Sequence, residues 1–162
     1  TLRLNSVNAG IGLVQLRYLD MWNEKRRKLA MRYRRKLKDL GDLILPPDDK
    51  KYNKSVYHLY VIRTKKRNLL RAWLSKNAIS TGVHYPIPVH RQPAYRQFVK
   101  DDSKLNFTDE WSKTVLSIPM HPNLSIHDQD FVIDMVTRFY DEKLYEKKEL
   151  RKLERKWSAE LI

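Results

Sequence analysis

The chain has 162 residues, enough for one domain with its own hydrophobic core. Apolar residues make up 41% and charged residues 32%, which excludes a disordered chain, and no apolar run approaches the length of a bilayer-spanning helix. Cysteine is absent, which excludes disulfides, thiolate catalysis and cysteine-ligated zinc, while 33 Lys and Arg against 19 Asp and Glu leave a charge of +14 that attracts polyanions.

Asn5 to about Leu40 reads as helical. Val7, Ile11, Val14, Leu16 and Leu19 recur at threes and fours, and Asn5 or Ser6 can cap the start. Gly10 and Gly12 lower helix propensity, so close packing against another element is expected there. A break near Asp20 separates a second helix with Trp22, Leu29, Tyr33, Leu37 and Leu40 on one side. Nine of the fourteen residues from Lys25 to Lys38 are Lys or Arg. They read better as the solvated face of that helix than as a phosphate-binding stripe. Gly41 is placed to end it.

Asp42 to Ser55, with Pro46 and Pro47, is a linker. Val56 to Thr64 is the strongest strand signal, with Val56, His58, Tyr60 and Ile62 on one face. His58 is most simply a strand side chain among tyrosines. Arg67 to Asn77 is a short helix carrying Leu69, Leu70, Trp73 and Leu74. Gly82 to Tyr85 fits a third short strand that Pro86 and Pro88 terminate. Pro93 to Lys100 fits a helical turn. Helix is expected over Thr108 to Thr114 and strand over Val115 to Ile118. Ser125 with Asp128 forms a capping-box pattern ahead of a stripe of Phe131, Met135, Val136 and Phe139. Asp141 to Trp157 reads as a continued helix lying on a partner or neighbouring domain. The order predicts an α+β fold with three short, mostly antiparallel strands covered by helices.

The stretch Ser80 to Tyr95, STGVHYPIPVHRQPAY, holds three of the seven prolines, two of the five histidines and no acidic residue. His84 and His90 are six apart, as are His121 and His127. Neither spacing puts two rings on one helical face beside a carboxylate, so no metal site is expected. There is no P-loop, no G-x-G-x-x-G and no nucleophile elbow. No nucleic-acid motif stands out either, and the residues carry no complete catalytic constellation.

Four segments together resemble one family: LRLNSVNAGIGLVQLRYLDMWNEKRRKLAMRY, SVYHLYVIR, LLRAWLSKNAISTGVHYPIPVHRQPAY and LSIPMHPNLSIHDQDFVIDMV. Their order and spacing are similar to the C-terminal part of the DegT/DnrJ/EryC1/StrS aminotransferases, which use pyridoxal phosphate to aminate keto groups on nucleotide-linked sugars. The resemblance runs from about Leu2 to Tyr140. It implies that residues 1–140 are the small C-terminal domain of a fold-type-I aminotransferase and that 141–162 are a charged helical extension. It also implies a homodimer and a missing large domain that supplies the Schiff-base lysine, so no cofactor bound by this chain alone and no catalytic residue in it.

In the family an N-x-R segment reaches across the dimer to the neighbouring cofactor phosphate. Arg3 falls on its arginine, whereas Thr1 stands at its asparagine position. The resemblance places His84 and Tyr85 at the mouth of the substrate cleft, with His90 further out. A loop residue bonded to backbone remains the simpler account of His84. Two other readings stay open: a basic regulatory or nucleic-acid-binding module, and a folding or dimerisation piece without activity. The visible N-terminus shows no signal-peptide pattern, and a cytoplasmic protein without membrane contact is expected.

Overall fold

The computed structural model describes residues 4–50, 52–99, 101 and 103–159. Among them, six α-helices surround one pair of strands. In chain order these are α1 (Ser6–Leu16), α2 (Leu19–Leu37), β1 (Tyr60–Arg63), α3 (Arg67–Lys76), α4 (Asn106–Thr114), β2 (Val115–Ile118), α5 (Ile126–Asp141) and α6 (Lys148–Ala159). β1 and β2 are antiparallel, with Tyr60 opposite Ile118 and Arg63 opposite Val115. Tyr60 and Ile62 point into the core, while Val61 and Arg63 are half-buried on the other face.

The sheet has two strands, not three. Gly82 to Tyr85 contributes only a bridge between Gly82 and Ser117 on the outer edge of β2. A similar bridge, Ile44 with Arg63, flanks β1. Pro46 and Pro47 follow one bridge and Pro86 and Pro88 follow the other, so neither edge has the consecutive amide donors a ladder needs. β1 is also shorter than its pattern suggests. Tyr57 takes a left-handed φ of 46°, which breaks the extended chain and leaves His58 exposed outside the strand.

The core lies on the Tyr60–Ile62 side of the sheet. α2 contributes Leu29, Ala30, Tyr33 and Leu37; α3 contributes Leu70, Ala72 and Leu74; α5 contributes Val132, Ile133, Met135, Val136, Phe139 and Tyr140. Phe131 does not join this stripe and is 44% exposed. The buried face of α5 is centred on Val132 and Val136, which turns Phe131 outward. Ser125 caps α5 as its pattern predicts, accepting from the Asp128 amide at 3.0 Å and donating to the Asp128 carboxylate at 2.7 Å.

The first long helix breaks at Arg17–Tyr18, slightly before Asp20. α1 has no buried residue, and a Cβ at Gly10 or Gly12 would meet nothing within 4 Å. The close packing expected of those glycines is therefore not made within the described residues. α2 ends at Leu37 rather than Leu40. Asp39 and Gly41 then turn the chain with φ of 61° and 56°. Gly41 has a second reason to be glycine: a Cβ there would lie 2.3 Å from the Tyr140 ring. The same turn delivers Asp42, whose Oδ1 accepts from Thr64 Oγ1 at 2.8 Å and from the Tyr140 hydroxyl at 3.0 Å. Burial pushes the Asp42 pKa up, but the bonds from Thr64, the Lys65 amide and Tyr140 outweigh it and hold the carboxyl below its usual range.

The segment after α5 is not one continuous helix. Lys143 is left-handed, Leu144–Glu146 form a single tight turn, and α6 restarts at Lys148. α6 lies against α3, and Leu144 and Leu150 are buried in the common core. Its cover is thus found within the chain; the side chain of Trp157 lies outside the described residues. Among the described residues no helix is long and apolar enough to cross a membrane.

Candidate functional site

The proline-rich stretch folds as a loop over the junction of α4 and β2. His84 Nδ1 lies 3.0 Å from Ser117 Oγ, so the ring is tied to a β2 side chain rather than to backbone. Tyr85 packs edge-on against His84, with ring centroids 5.7 Å apart, and is 74% exposed. Residues Val89–Arg91 form a tight turn that brings His90 Nε2 within 3.0 Å of Asp109 Oδ1. Arg91 joins it, Nε donating to Oδ1 at 3.2 Å and Nη2 to Oδ2 at 2.7 Å. The bonds from Arg91 first, and then its charge and His90, hold the Asp109 carboxyl down at about 2. It is therefore ionised at neutral pH. The order these contacts provide is complete above the ordinary carboxylate range and is lost as pH falls through about 2.

A cleft of about 290 Å³ opens beneath this loop. His84, Tyr85, Ile87 and Val89 form one wall; Thr108, Trp111, Ser112 and Val115 form the other. The lining is mainly apolar, with hydroxyls and the Gln92 amide as its neutral polar groups. Among the described residues, no lysine, arginine or carboxylate lines it. It brings His84 and Tyr85 together at one mouth. His90 faces Asp109 instead and is not among the residues that line the cleft.

A second, larger cleft of about 420 Å³ lies on the open face of the sheet, lined by Leu59, Val61, Arg63 and the 44–49 segment. Trp111 and Val115 belong to both clefts, and the Arg63 guanidinium sits 4.6 Å from the Trp111 ring centroid. Thr1 and Arg3 lie outside the described residues.

The basic stripe of α2 is partly spent inside the molecule. Arg27 pairs with Glu24 at 2.6 Å and bonds the Ser55 carbonyl; Arg32 pairs with Asp130 at 2.6 Å; Arg34 pairs with Asp48 at 2.5 Å and bonds the Pro46 carbonyl. These arginines fasten α2 to its neighbours, while Lys25, Lys28, Arg35, Lys36 and Lys38 of the same stripe are exposed. Among the described residues no three or more His, Asp or Glu side chains gather as metal ligands would.

The profile of the DegT/DnrJ/EryC1/StrS aminotransferase family matches residues 1–137, and the chain belongs to that family. It is 37% identical over 85% of its length to a pleiotropic regulatory protein of Geobacillus stearothermophilus. It is 36% identical over 83% of its length to the dTDP-3-amino-3,4,6-trideoxy-alpha-D-glucose transaminase of Streptomyces venezuelae. DesV of S. venezuelae, solved in complex with a ketimine intermediate, superposes with a TM-score of 0.81 and 34% identity over 85% of the chain. The chain spans 37%, 35% and 37% of those proteins, little more than a third of each.

Pyridoxal phosphate is the family's cofactor. It requires a lysine amine and several phosphate donors. Neither cleft is lined by lysine, and Arg63 is the one lining cation of the larger, so the described residues do not fit the group on their own.

Asp109, Ser117 and Trp111 were not singled out from the sequence. A signal did exist. The stretch Ser80–Arg96 holds two histidines, two arginines and no acid, so a carboxylate partner lies outside it; the next acids along the chain are Asp101, Asp102 and Asp109, the last within the helix expected over Thr108 to Thr114.

Proposed function

We propose that this chain is the C-terminal portion of a pyridoxal-phosphate-dependent aminotransferase that transfers an amino group to a keto sugar carried on a nucleotide. Residues 1–140 are its small domain and 141–162 an extension that braces α3. The chain supplies part of a homodimer interface and one lip of the substrate cleft, and is not a complete catalyst alone. The observation that carries this reading is the placement of His84 and Tyr85 at one mouth of an apolar, uncharged cleft within a family-matched domain.

The roles follow from the chemistry of that wall. The cofactor, held by the rest of the protein, supplies the electron sink for amino transfer. Tyr85 offers an exposed hydroxyl that donates to or accepts from a sugar hydroxyl or phosphate oxygen. His84 is held by Ser117 through Nδ1 and lines the same cleft, where its ring offers a second nitrogen for hydrogen bonding. Ile87, Val89 and Trp111 give the ring's C–H faces an apolar surface and exclude water when the cleft closes. Among the described residues no cation lines the cleft, so it suits the sugar ring and leaves the diphosphate to other parts of the protein. Thr1 and Arg3 contact the cofactor phosphate of the neighbouring subunit, and His90 supports the lip from behind.

The test is the full-length protein carrying this chain, incubated with a dTDP- or UDP-linked keto sugar, an amino-acid donor and pyridoxal phosphate. Mass spectrometry is expected to find the amino sugar. The 162-residue chain alone is expected to give no Schiff-base absorbance. A full-length protein that binds no cofactor and forms no amino sugar removes the proposal.

A further inference from the structure

The loop from His84 to Gln92 is tied at both ends, and the bonds that His84, His90 and Arg91 make to Ser117 and Asp109 run to one short piece of chain. His84 is held by Ser117 of β2; His90 and Arg91 are held by Asp109, in the first turn of α4. Thr114 is the last residue of α4 and Val115 the first of β2, with nothing between them. Asp109 and Ser117 therefore belong to one continuous helix–strand segment, and the loop lies across it as a strap.

Packing does not hold this strap in place. Tyr85 is 74% exposed, Ile87 46% and Val89 62%. The Gly82–Ser117 bridge fixes the backbone two residues before the strap; within it backbone support is local, the Arg91 amide donating to the Pro88 carbonyl at 2.9 Å and the Gln92 amide to the Val89 carbonyl at 3.1 Å, both inside one turn. The prolines at 86 and 88 limit the conformations of the strap but do not attach it to anything. Attachment comes from the ties, and these are unequal. Ser117 makes one bond between groups that need carry no charge. Asp109 receives three bonds, two of them from a guanidinium in side-on geometry, the stronger kind. The His90 side chain is 8% exposed and that of Asp109 20%, so water competes little for the contact. Asp109 does not line the cleft, but Thr108, Trp111 and Ser112 beside it do.

We propose that Asp109 is a positioning residue for the substrate lip: by gripping His90 and Arg91 it sets where His84 and Tyr85 stand over the cleft, without touching substrate. This rests on the reading of His84 and Tyr85 as substrate contacts. A substrate contact displaced by about 1 Å is weakened, so a residue outside the cleft can matter to substrate binding.

Two measurements test it. In the full-length protein, Asp109→Asn is expected to raise KM for the keto-sugar nucleotide about tenfold with kcat changed less than about twofold, and Asp109→Glu, which keeps the charge, to recover most of the loss. In the 162-residue chain, Asp109→Asn is expected to speed exchange of the Arg91 and Gln92 amides about tenfold while the β1–β2 amides keep their protection. Arg91→Gln, at a side chain 49% exposed, removes two of the three bonds and serves where Asp109→Asn fails to fold. It is expected to reproduce both effects.

Unchanged KM overturns the proposal, as does a fall in kcat with KM intact. If the full-length wild type transfers no amino group, the functional reading fails instead, and the exchange data alone decide the grip. Unaccelerated exchange at Arg91 and Gln92 then overturns it.

Discussion

α1 and α5 begin alike and end differently. Each opens on a polar cap whose side chain accepts from an amide three residues on, Asn5 from Asn8 and Ser125 from Asp128. Each carries apolar residues at helical spacing. α5 buries Val132, Ile133, Met135, Val136, Phe139 and Tyr140, whereas α1 buries nothing and leaves Val7 73%, Ile11 52% and Val14 51% exposed. The difference teaches that periodicity reports a face made to be covered, not where the cover lies. For α5 the cover is α2 and α3 of the same chain. For α1, under the proposed function, it is the remainder of the protein and its dimer partner.

The largest effect expected from this contrast comes from truncating one side chain on each helix. Phe139→Ala should cost about 3–5 kcal/mol in urea unfolding of the 162-residue chain. Ile11→Ala should stay within about 0.5 kcal/mol. Similar losses at the two sites would break the comparison, because α1 would then already be covered in the isolated chain.

A pair of glycine replacements carries the contrast to the backbone. Gly41→Ala forces a Cβ against the Tyr140 ring at a positive φ, and a loss of about 1–3 kcal/mol is expected. Gly12→Ala meets open space in mid-helix and should stabilise the chain by up to about 1 kcal/mol. Thermal melts of the two variants should move in opposite directions. In the full-length protein the gain at Gly12 should shrink or reverse as α1 meets its cover. A gain of the same size in both proteins would show that nothing packs there.

The smallest effect tests the caps. Ser125→Ala should lower global stability by about 1 kcal/mol, since α5 is built into the core. Asn5→Ala should fray α1 and reduce far-ultraviolet ellipticity without shifting the unfolding midpoint. A shifted midpoint in the second variant would tie α1 to the cooperative unit.

What was legible in the sequence was local. The α5 cap, the α3 helix, the β2 strand and the two-helix start each rest on neighbours within a turn or two. What was not legible depended on distant partners. β1 looked twice as long as it is because the left-handed Tyr57 leaves no mark in the residue pattern. The third strand shrank to one bridge because the following prolines outweighed the pairing potential of Gly82 to Tyr85. Phe131 looked buried because its spacing suits a stripe centred one position away from the real one. His84 and Tyr85 came forward through a recognisable run, but Asp109 is nineteen residues from His90 and belongs to no motif with it. Only the fold joins them.

The strip after α5 has a practical consequence. The family match stops at residue 137, yet Leu144 and Leu150 still fill the shared core against α3. A scissors cut placed at the edge of that profile would uncover α3 and bare the underside of the body that bears the lip. Anyone grafting this piece onto another large domain should carry the last turns along. The edge of the family profile and the edge of the packed body are separate lines on this chain.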